Sequence, residues 1–285
     1  MDTILPVLEK PLNAFVAGIL VPLALYALAL IRKDLKAAVG FAVQAFLFRI
    51  APLLRRPVAA AISLKEYCRL QLGDDSNRWL LVPSNSADIP LDVDKAFVPL
   101  LLEQDGMEDV QYNNDTLLTA GGRLRIIGDP GSGKSSLVKR LFRDACRAGR
   151  VSPRNAQLPV LIELRKISVP IGVEDDPGGW LLRTLRNKIT EAAAYNMDEC
   201  FDLYAKGNGL LVLLDGLDEV STTDYPQFEK AINDLSHHSS QLGTKNIVVL
   251  TMRKQYHQEV RRAYSSTLPT VLRVSPLPRV TSMIF

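Results

Sequence analysis

Cysteine is scarce in this chain of 285 residues. Cys68, Cys146 and Cys200 stand far apart, with no C-x-x-C pair and no histidine beside any of them. That argues against a disulfide scaffold or a thiolate zinc site, and it suits a reducing compartment. A strong excess of one charge is also missing. The formal net charge is +3, too small to imply a nucleic-acid partner. There is no internal repeat and no low-complexity tract. Hydrophobic residues at 47% and charged residues at 23% are ordinary for globular proteins. They exclude a wholly disordered chain, a collagen-like rod and a many-span transporter. The length suits one domain with a sizeable appendage, or two small domains.

These averages conceal a polarised chain. From Leu12 to Ile31 no residue is charged, and only Asn13, Gly18 and Pro22 interrupt the apolar run. As a helix rising about 1.5 Å per residue, it covers roughly 30 Å, the thickness of a bilayer's hydrocarbon core. A buried helix of a soluble core would carry a polar stripe, and this run has none. The spacing predicts a membrane span. A cleaved signal peptide fits less well, because Asp2 and Glu9 oppose Lys10 and no basic leader precedes the run.

Residues 32–72 hold eight Lys and Arg against Asp34 and Glu66, a local net charge of +6. The positive-inside rule then places the C-terminal bulk in the cytoplasm and the N-terminus outside. A second apolar stretch, 37–54, contains Gln44 and Arg49, and we read it as an interfacial helix near anionic lipid headgroups. A hairpin of two spans is the alternative. Residues 1–56 thus form the expected membrane anchor, and 57–118 a linker and lead-in. Residues 73–118 invert the charge to −8. Most of that stretch reads as solvated linker, with 96–102 as a short strand.

The strongest motif lies at 128–136. A strand-like run, Leu124–Ile127, leads into Gly128, Asp129, Pro130, Gly131, Ser132, Gly133, Lys134, Ser135 and Ser136, followed by helical spacing over 137–145. This is G-x-x-x-x-G-K-[ST] in its strand–loop–helix setting. Glycines admit backbone torsions closed to other residues and let the main chain approach an anion. Successive N–H groups and the helix N-terminus then surround phosphates with positive partial charge. Lys134 is expected to reach the β- and γ-phosphates, and the Ser135 hydroxyl to join a Mg²⁺ shell. A chance match in a chain of this length is on the order of 1%.

A phosphate loop needs carboxylates on a neighbouring strand. The apolar run 209–214 ends in Asp215-Gly216-Leu217-Asp218-Glu219. Asp215, at the strand's carboxyl end, is expected to hold Mg²⁺ through water. Asp218 and Glu219 are candidates to orient or activate the attacking water. Runs 158–164 and 246–251 read as further strands, with helices over 180–195 and 224–242. This alternation predicts an α/β fold, a P-loop NTPase core with a doubly wound parallel sheet over 119–285. Arg253 follows the last of these strands and is placed to reach the γ-phosphate.

The segments GDPGSGKSS (128–136), LPVLIELRK (158–166), LLVLLDGLDEV (210–220) and IVVLTMRK (247–254) resemble, in that order, the NACHT module of STAND-class signalling NTPases. The upstream IPLDVDKAFVPLLL (89–102) is similar to the lead-in of such modules. The resemblance covers roughly 88–275. It implies ATP or GTP as ligand with Mg²⁺, slow hydrolysis, and a nucleotide-controlled switch between a closed monomer and an oligomer. It implies Asp218 as the catalytic acid and Arg253 as first sensor, although the family's T-S-R-P is Thr251-Met252-Arg253-Lys254 here. Family members continue into a winged-helix region and a ligand sensor, and neither follows residue 275. The resemblance therefore implies an incomplete C-terminal end, from a minimal variant or a truncated reading frame.

ATP is preferred to GTP, since Asn187-Lys188-Ile189-Thr190 lacks the aspartate of a guanine-reading N-K-x-D. No LSGGQ-like segment supports an ABC-type ATPase. His237 and His238 read as a solvated pair, Trp79 and Trp180 as packing anchors, and Arg261, Arg262, Arg273 and Arg279 as solvated faces rather than a nucleic-acid patch. Three functions compete: a membrane-anchored signalling ATPase, a nucleotide-bound membrane tether that does not hydrolyse, and an AAA-type motor. Slow, absent and brisk turnover, respectively, would separate them.

Overall fold

The chain divides into two compact units, Met1–Ala59 and Ala60–Phe285. The computed structural model describes residues 56–82, 89–107, 111–113, 115–170, 177–192, 197–242 and 245–275. The expected span 12–31 and interfacial helix 37–54 lie outside the described residues. Among the described residues no helix is long and apolar enough to cross a membrane.

Helix α1 (Arg56–Gly73) leads into the single turn α2 (Asp75–Arg78). An antiparallel ribbon of β1 (Trp79–Val82) and β2 (Ile89–Asp92) follows, then the short helix α3 (Val93–Ala96) and the short strands β3 (Leu102–Gln104) and β4 (Gln111–Tyr112). The remaining order is β5 (Arg123–Gly128), α4 (Lys134–Val151), β6 (Leu158–Glu163), α5 (Pro177–Ala192), α6 (Met197–Lys206), β7 (Leu210–Asp215), α7 (Tyr225–Leu242), β8 (Ile247–Arg253), α8 (Lys254–Val260) and β9 (Thr270–Val274).

The main sheet runs β4-β3-β9-β5-β8-β7-β6. Strands β5 to β9 are mutually parallel, while β3 and β4 extend the sheet antiparallel beyond β9. The expected α/β core with a parallel sheet is therefore present, with an antiparallel edge. Strands β6 to β8 are rich in Leu, Ile and Val without polar alternation, the pattern of strands covered on both faces. All six residues of β7 are buried. Strand β5 lies between β8 and β9, so the chain leaves it toward one edge and returns on its other side. In such sheets ligands bind beyond the carboxyl ends of the strands, near this reversal.

Helix α4 turns Leu137, Val138, Leu141, Phe142 and Cys146 inward at three- and four-residue spacing. Helix α1 belongs to the same core, although 57–118 reads in the sequence as linker. Its Leu64, Tyr67 and Cys68 are buried, and the Tyr67 hydroxyl donates to the Pro159 carbonyl at 2.9 Å. At Gly149 of α4 a Cβ would lie 2.6 Å from Cys68 Sγ, so only glycine permits this approach. Each fully buried Leu or Tyr of this kind stabilises the fold by roughly 1.5–3 kcal/mol.

The expected strand at 96–102 is corrected. Its first residue ends α3, the strand begins only at Leu102, and the stretch between has no ladder partner. Nor is 73–118 simply a solvated linker. Arg78 pairs with the buried Asp92 at 2.9 Å, and Lys139 of α4 donates to the Ser76 and Trp79 carbonyls at 2.9 and 3.1 Å. Trp180 is an anchor as expected, meeting Phe228 edge-on at 5.3 Å between α5 and α7.

Candidate functional site

The loop from Gly128 to Gly133 joins β5 to α4, and its shape follows from its glycines. Gly131 and Gly133 take φ of +74° and +88°, torsions that strain any side-chain-bearing residue. Gly133 caps α4, whose first residues are Lys134, Ser135 and Ser136. Asp129, Pro130 and Gly131 are exposed, and Ser132 is half-buried. The Ser132 N–H donates to the Asp129 carbonyl at 3.1 Å, closing the turn. The Lys134 ammonium donates to the Gly128 and Asp129 carbonyls, both at 2.9 Å, and to Ser132 Oγ at 3.3 Å. Burial pushes the Lys134 pKa down, while the charges of Asp218 and Asp215 pull it back up.

Asp215 ends β7 and is buried. Thr251 of β8 donates its hydroxyl to Asp215 Oδ1 at 2.6 Å and accepts from the Gly216 N–H at 2.9 Å. Burial raises the Asp215 pKa, with hydrogen bonds from the Thr251 and Ser135 hydroxyls acting against it. Ser135, in the first turn of the phosphate-loop helix, and the β7 carboxylate line the same cleft.

Beyond Asp215 the chain turns into a short 3-10 segment, Leu217–Glu219. The Asp218 side chain is 8% exposed and held twice by Arg253: Oδ2 lies 2.7 Å from Nε, and Oδ1 accepts the backbone N–H at 2.9 Å. Glu219 is exposed and pairs with Arg165 at 3.2 Å. Arg165 also meets Glu163, the residue in register with Asp215 on β6. Burial would raise the Glu163 pKa, but the hydrogen bond from Lys166 and the charges of Lys139 and Lys166 bring it below its usual value.

The loop from Pro130 to Ser136 with Asp215, Asp218, Glu219, Thr251 and Arg253 lines a cleft of about 490 Å³ at the carboxyl ends of the parallel strands. Leu91, Ala96, Phe97, Val98 and Leu100 form its apolar wall, and Leu100 comes within 3.3 Å of where a Gly133 Cβ would sit. A larger hollow of about 740 Å³ opens beside Gly122, Leu211 and Ile247 at the strands' amino ends. Neither the phosphate loop nor the acidic segment lines it.

The cleft joins every residue singled out in the sequence from Pro130 to Ser136 with Asp215, Asp218, Glu219 and Arg253. Gly128 and Asp129 supply the carbonyls that hold Lys134. Sequence reasoning missed Thr251, Glu163 and Arg165. Thr251 and Glu163 carry a signal in retrospect: each is a polar residue near the carboxyl end of an apolar strand. Arg273, weighed in the sequence as part of a solvated basic face, instead pairs with Asp105 at 2.9 Å.

The donor set suits Mg²⁺. Ser135 and Asp215 offer hard oxygens in one cleft, and Mg²⁺ is commonly held by one or two carboxylates with water and substrate phosphates. Among the described residues no cluster of three or more His, Cys, Asp or Glu could cage a metal alone.

No curated protein matches the chain at a significant level. A family model described as the NACHT domain matches residues 123–282, more than half of the chain. The match begins on the first residue of β5 and runs past the end of β9, taking in the whole parallel sheet, the phosphate loop and the acidic segment while leaving out the apolar wall at 91–100, and the chain belongs to the NACHT domain family.

Proposed function

We propose that the chain is a membrane-anchored, ATP-binding signalling NTPase of the STAND class, which hydrolyses ATP slowly and clusters when activated. The observation that carries the nucleotide reading is the convergence of Lys134, Ser135 and Asp215 at one end of the sheet, beside an apolar wall of a kind that suits a base. In this reading phosphate oxygens take the Lys134 ammonium from the Gly128 and Asp129 carbonyls, while the loop's N–H groups face the remaining charge. Ser135 and Asp215 would hold Mg²⁺, which when bound neutralises phosphate charge. Asp218 or Glu219 orients water, and Arg253 bridges Asp218 to the terminal phosphate.

The anchor rests on the sequence alone: the uncharged run 12–31 and the +6 segment that follows it. Clustering of the NTPase cores would then gather these segments in the bilayer, the output of a defence or cell-death device.

A second reading is favoured by one observation. Both candidate carboxylates are already engaged, Asp218 by Arg253 and Glu219 by Arg165. A chain that binds ATP and keeps these pairs would act as a nucleotide-loaded membrane tether. Calorimetry with Mg·ATP and a phosphate-release assay on the full chain separate the two. Lys134→Ala should weaken ATP binding about tenfold or more, at least 1.4 kcal/mol. Equal affinity in the variant would show that the loop is not the site. Binding without turnover in the wild type would select the tether.

A further inference from the structure

Three arginines on one face of α4, Arg140, Arg143 and Arg147, converge on a single carboxylate outside that helix, Asp94 of α3. Arg143 donates through Nε and Nη2 to Asp94 Oδ2 at 3.1 and 2.7 Å. Arg147 meets Oδ1 closely, and Arg140 stands 3.6 Å from it. The hydrogen bond from Arg143 is the largest influence holding the Asp94 carboxyl down at about 2.

Arg143 is 5% exposed, and among the described residues it also donates to the Leu72 carbonyl at 3.4 Å. A buried guanidinium needs a counter-charge, so the clasp holds α3 firmly against α4. Arg140 also lies over the Phe97 ring at 5.8 Å.

The segment that Asp94 anchors is the apolar wall of the cleft. Between α3 and β3 this backbone has no ladder partner, so its position depends on its two ends and on the packing of Phe97 and Leu100 on the core. Downstream, the Leu101 carbonyl accepts from the Ser275 N–H at 2.9 Å, next to the pairing of β3 with β9. Upstream, the arginine clasp joins the fully buried Val93 and the Asp92–Arg78 pair in fixing α3. Those arginines project from the helix whose first turn is Lys134, Ser135 and Ser136. One rigid element thus carries the phosphate contacts at its N-terminus and the anchor of the opposite wall one to three turns later.

We infer that Asp94 is a positioning residue for the base. Clasped by Arg140, Arg143 and Arg147, it sets the distance from the Phe97–Leu100 wall to the phosphate loop, and so controls base binding separately from phosphate binding. The inference rests on the nucleotide reading of the cleft. Neutralising Asp94 releases α3 and loosens the wall. It leaves the loop, Ser135 and Asp215 in place.

The test compares Mg·ATP with Mg·tripolyphosphate, which has the phosphates and no base, by calorimetry on the full chain. In Asp94→Asn the Kd for ATP should rise about tenfold while that for tripolyphosphate changes by less than about twofold, since misplacing a binding wall penalises only the group it touches. Arg140→Gln, which leaves Arg143 and Arg147 on Asp94, should show the same split at about threefold. Equal weakening of both ligands would reduce Asp94 to a general structural role and overturn the inference, as would unchanged ATP affinity in a folded Asp94→Asn protein. If Asp94→Asn does not fold, Arg140→Gln decides by the same ratio. Wild type that binds neither ligand refutes the nucleotide reading itself, a result distinct from loss of the split.

Discussion

Replacing Thr251 with valine exchanges one hydroxyl for a methyl group of similar size at a position only 1% exposed. Two bonds disappear with it: the donation to Asp215 Oδ1 at 2.6 Å and the acceptance from the Gly216 N–H at 2.9 Å. A hydrogen bond to a charged group is worth about 1.5–3 kcal/mol, and a partly buried N–H such as that of Gly216, left without an acceptor, costs toward the low end of about 1–3 kcal/mol. The two terms share one hydroxyl and do not add fully, so a loss near 3 kcal/mol is expected. That is a sizeable part of the 5–15 kcal/mol that holds a domain together.

The change also acts through pH. Burial already raises the Asp215 pKa, and the Thr251 hydroxyl opposes that rise. Without it the pKa climbs further. A carboxyl raised in the fold binds more protons folded than unfolded. Its contribution is therefore full below the unfolded value and is lost as pH rises through the folded value. The deficit of Thr251→Val should accordingly be largest at pH above the raised folded value and shrink as pH falls through it. Mg²⁺-dependent ATP binding, which needs the ionised carboxylate, should move its midpoint to higher pH. Urea melts and calorimetry at several pH values measure both effects, with Thr251→Ser as the variant that keeps the hydroxyl. A valine variant within about 0.5 kcal/mol of wild type, with an unshifted pH profile, would refute the role assigned to this bond.

Asp218→Asn keeps an oxygen for the Arg253 N–H and removes the charge. ATP binding should stay nearly intact while phosphate release slows roughly 10²-fold, the effect of losing one general-base contribution. Turnover at the wild-type rate would transfer the role to Glu219, tested in parallel by Glu219→Gln. For the anchor, the full chain should stay with membranes through a carbonate wash, and its release into the soluble fraction would remove the span from the proposal.

Much of the fold is legible in the sequence because its signals are local. The loop 128–136 announces itself by residue type and spacing, and β5 to β8 lie within about two residues of their apolar runs. Strand β9 and helix α6 escape this reading. Thr270–Val274 carries Arg273 amid apolar residues, and its strand character comes from ladders with β5 on one side and β3 on the other. Helix α1 escapes for a related reason. Its apolar residues form no strong single face in sequence, because Leu64, Tyr67 and Cys68 meet several elements at once.

The site divides in the same way. Residue types and spacing by themselves determine which groups can hold phosphate and metal: the glycine loop, Lys134, Ser135, and carboxylates after a buried strand. Those requirements are satisfied within a few consecutive residues, so the chain order states them. Only the tertiary structure decides what these groups touch. Strand β8 is inserted between β5 and β7, and that insertion brings Thr251 onto Asp215 and Arg253 onto Asp218, pairs 36 and 35 residues apart. The grip of Arg140, Arg143 and Arg147 on Asp94 likewise bridges a separation of 49 residues in the case of Arg143. Ion pairs and hydrogen bonds of this reach depend on strand order and helix docking, which are set by the burial of the whole sheet at once and leave no periodic mark in the chain.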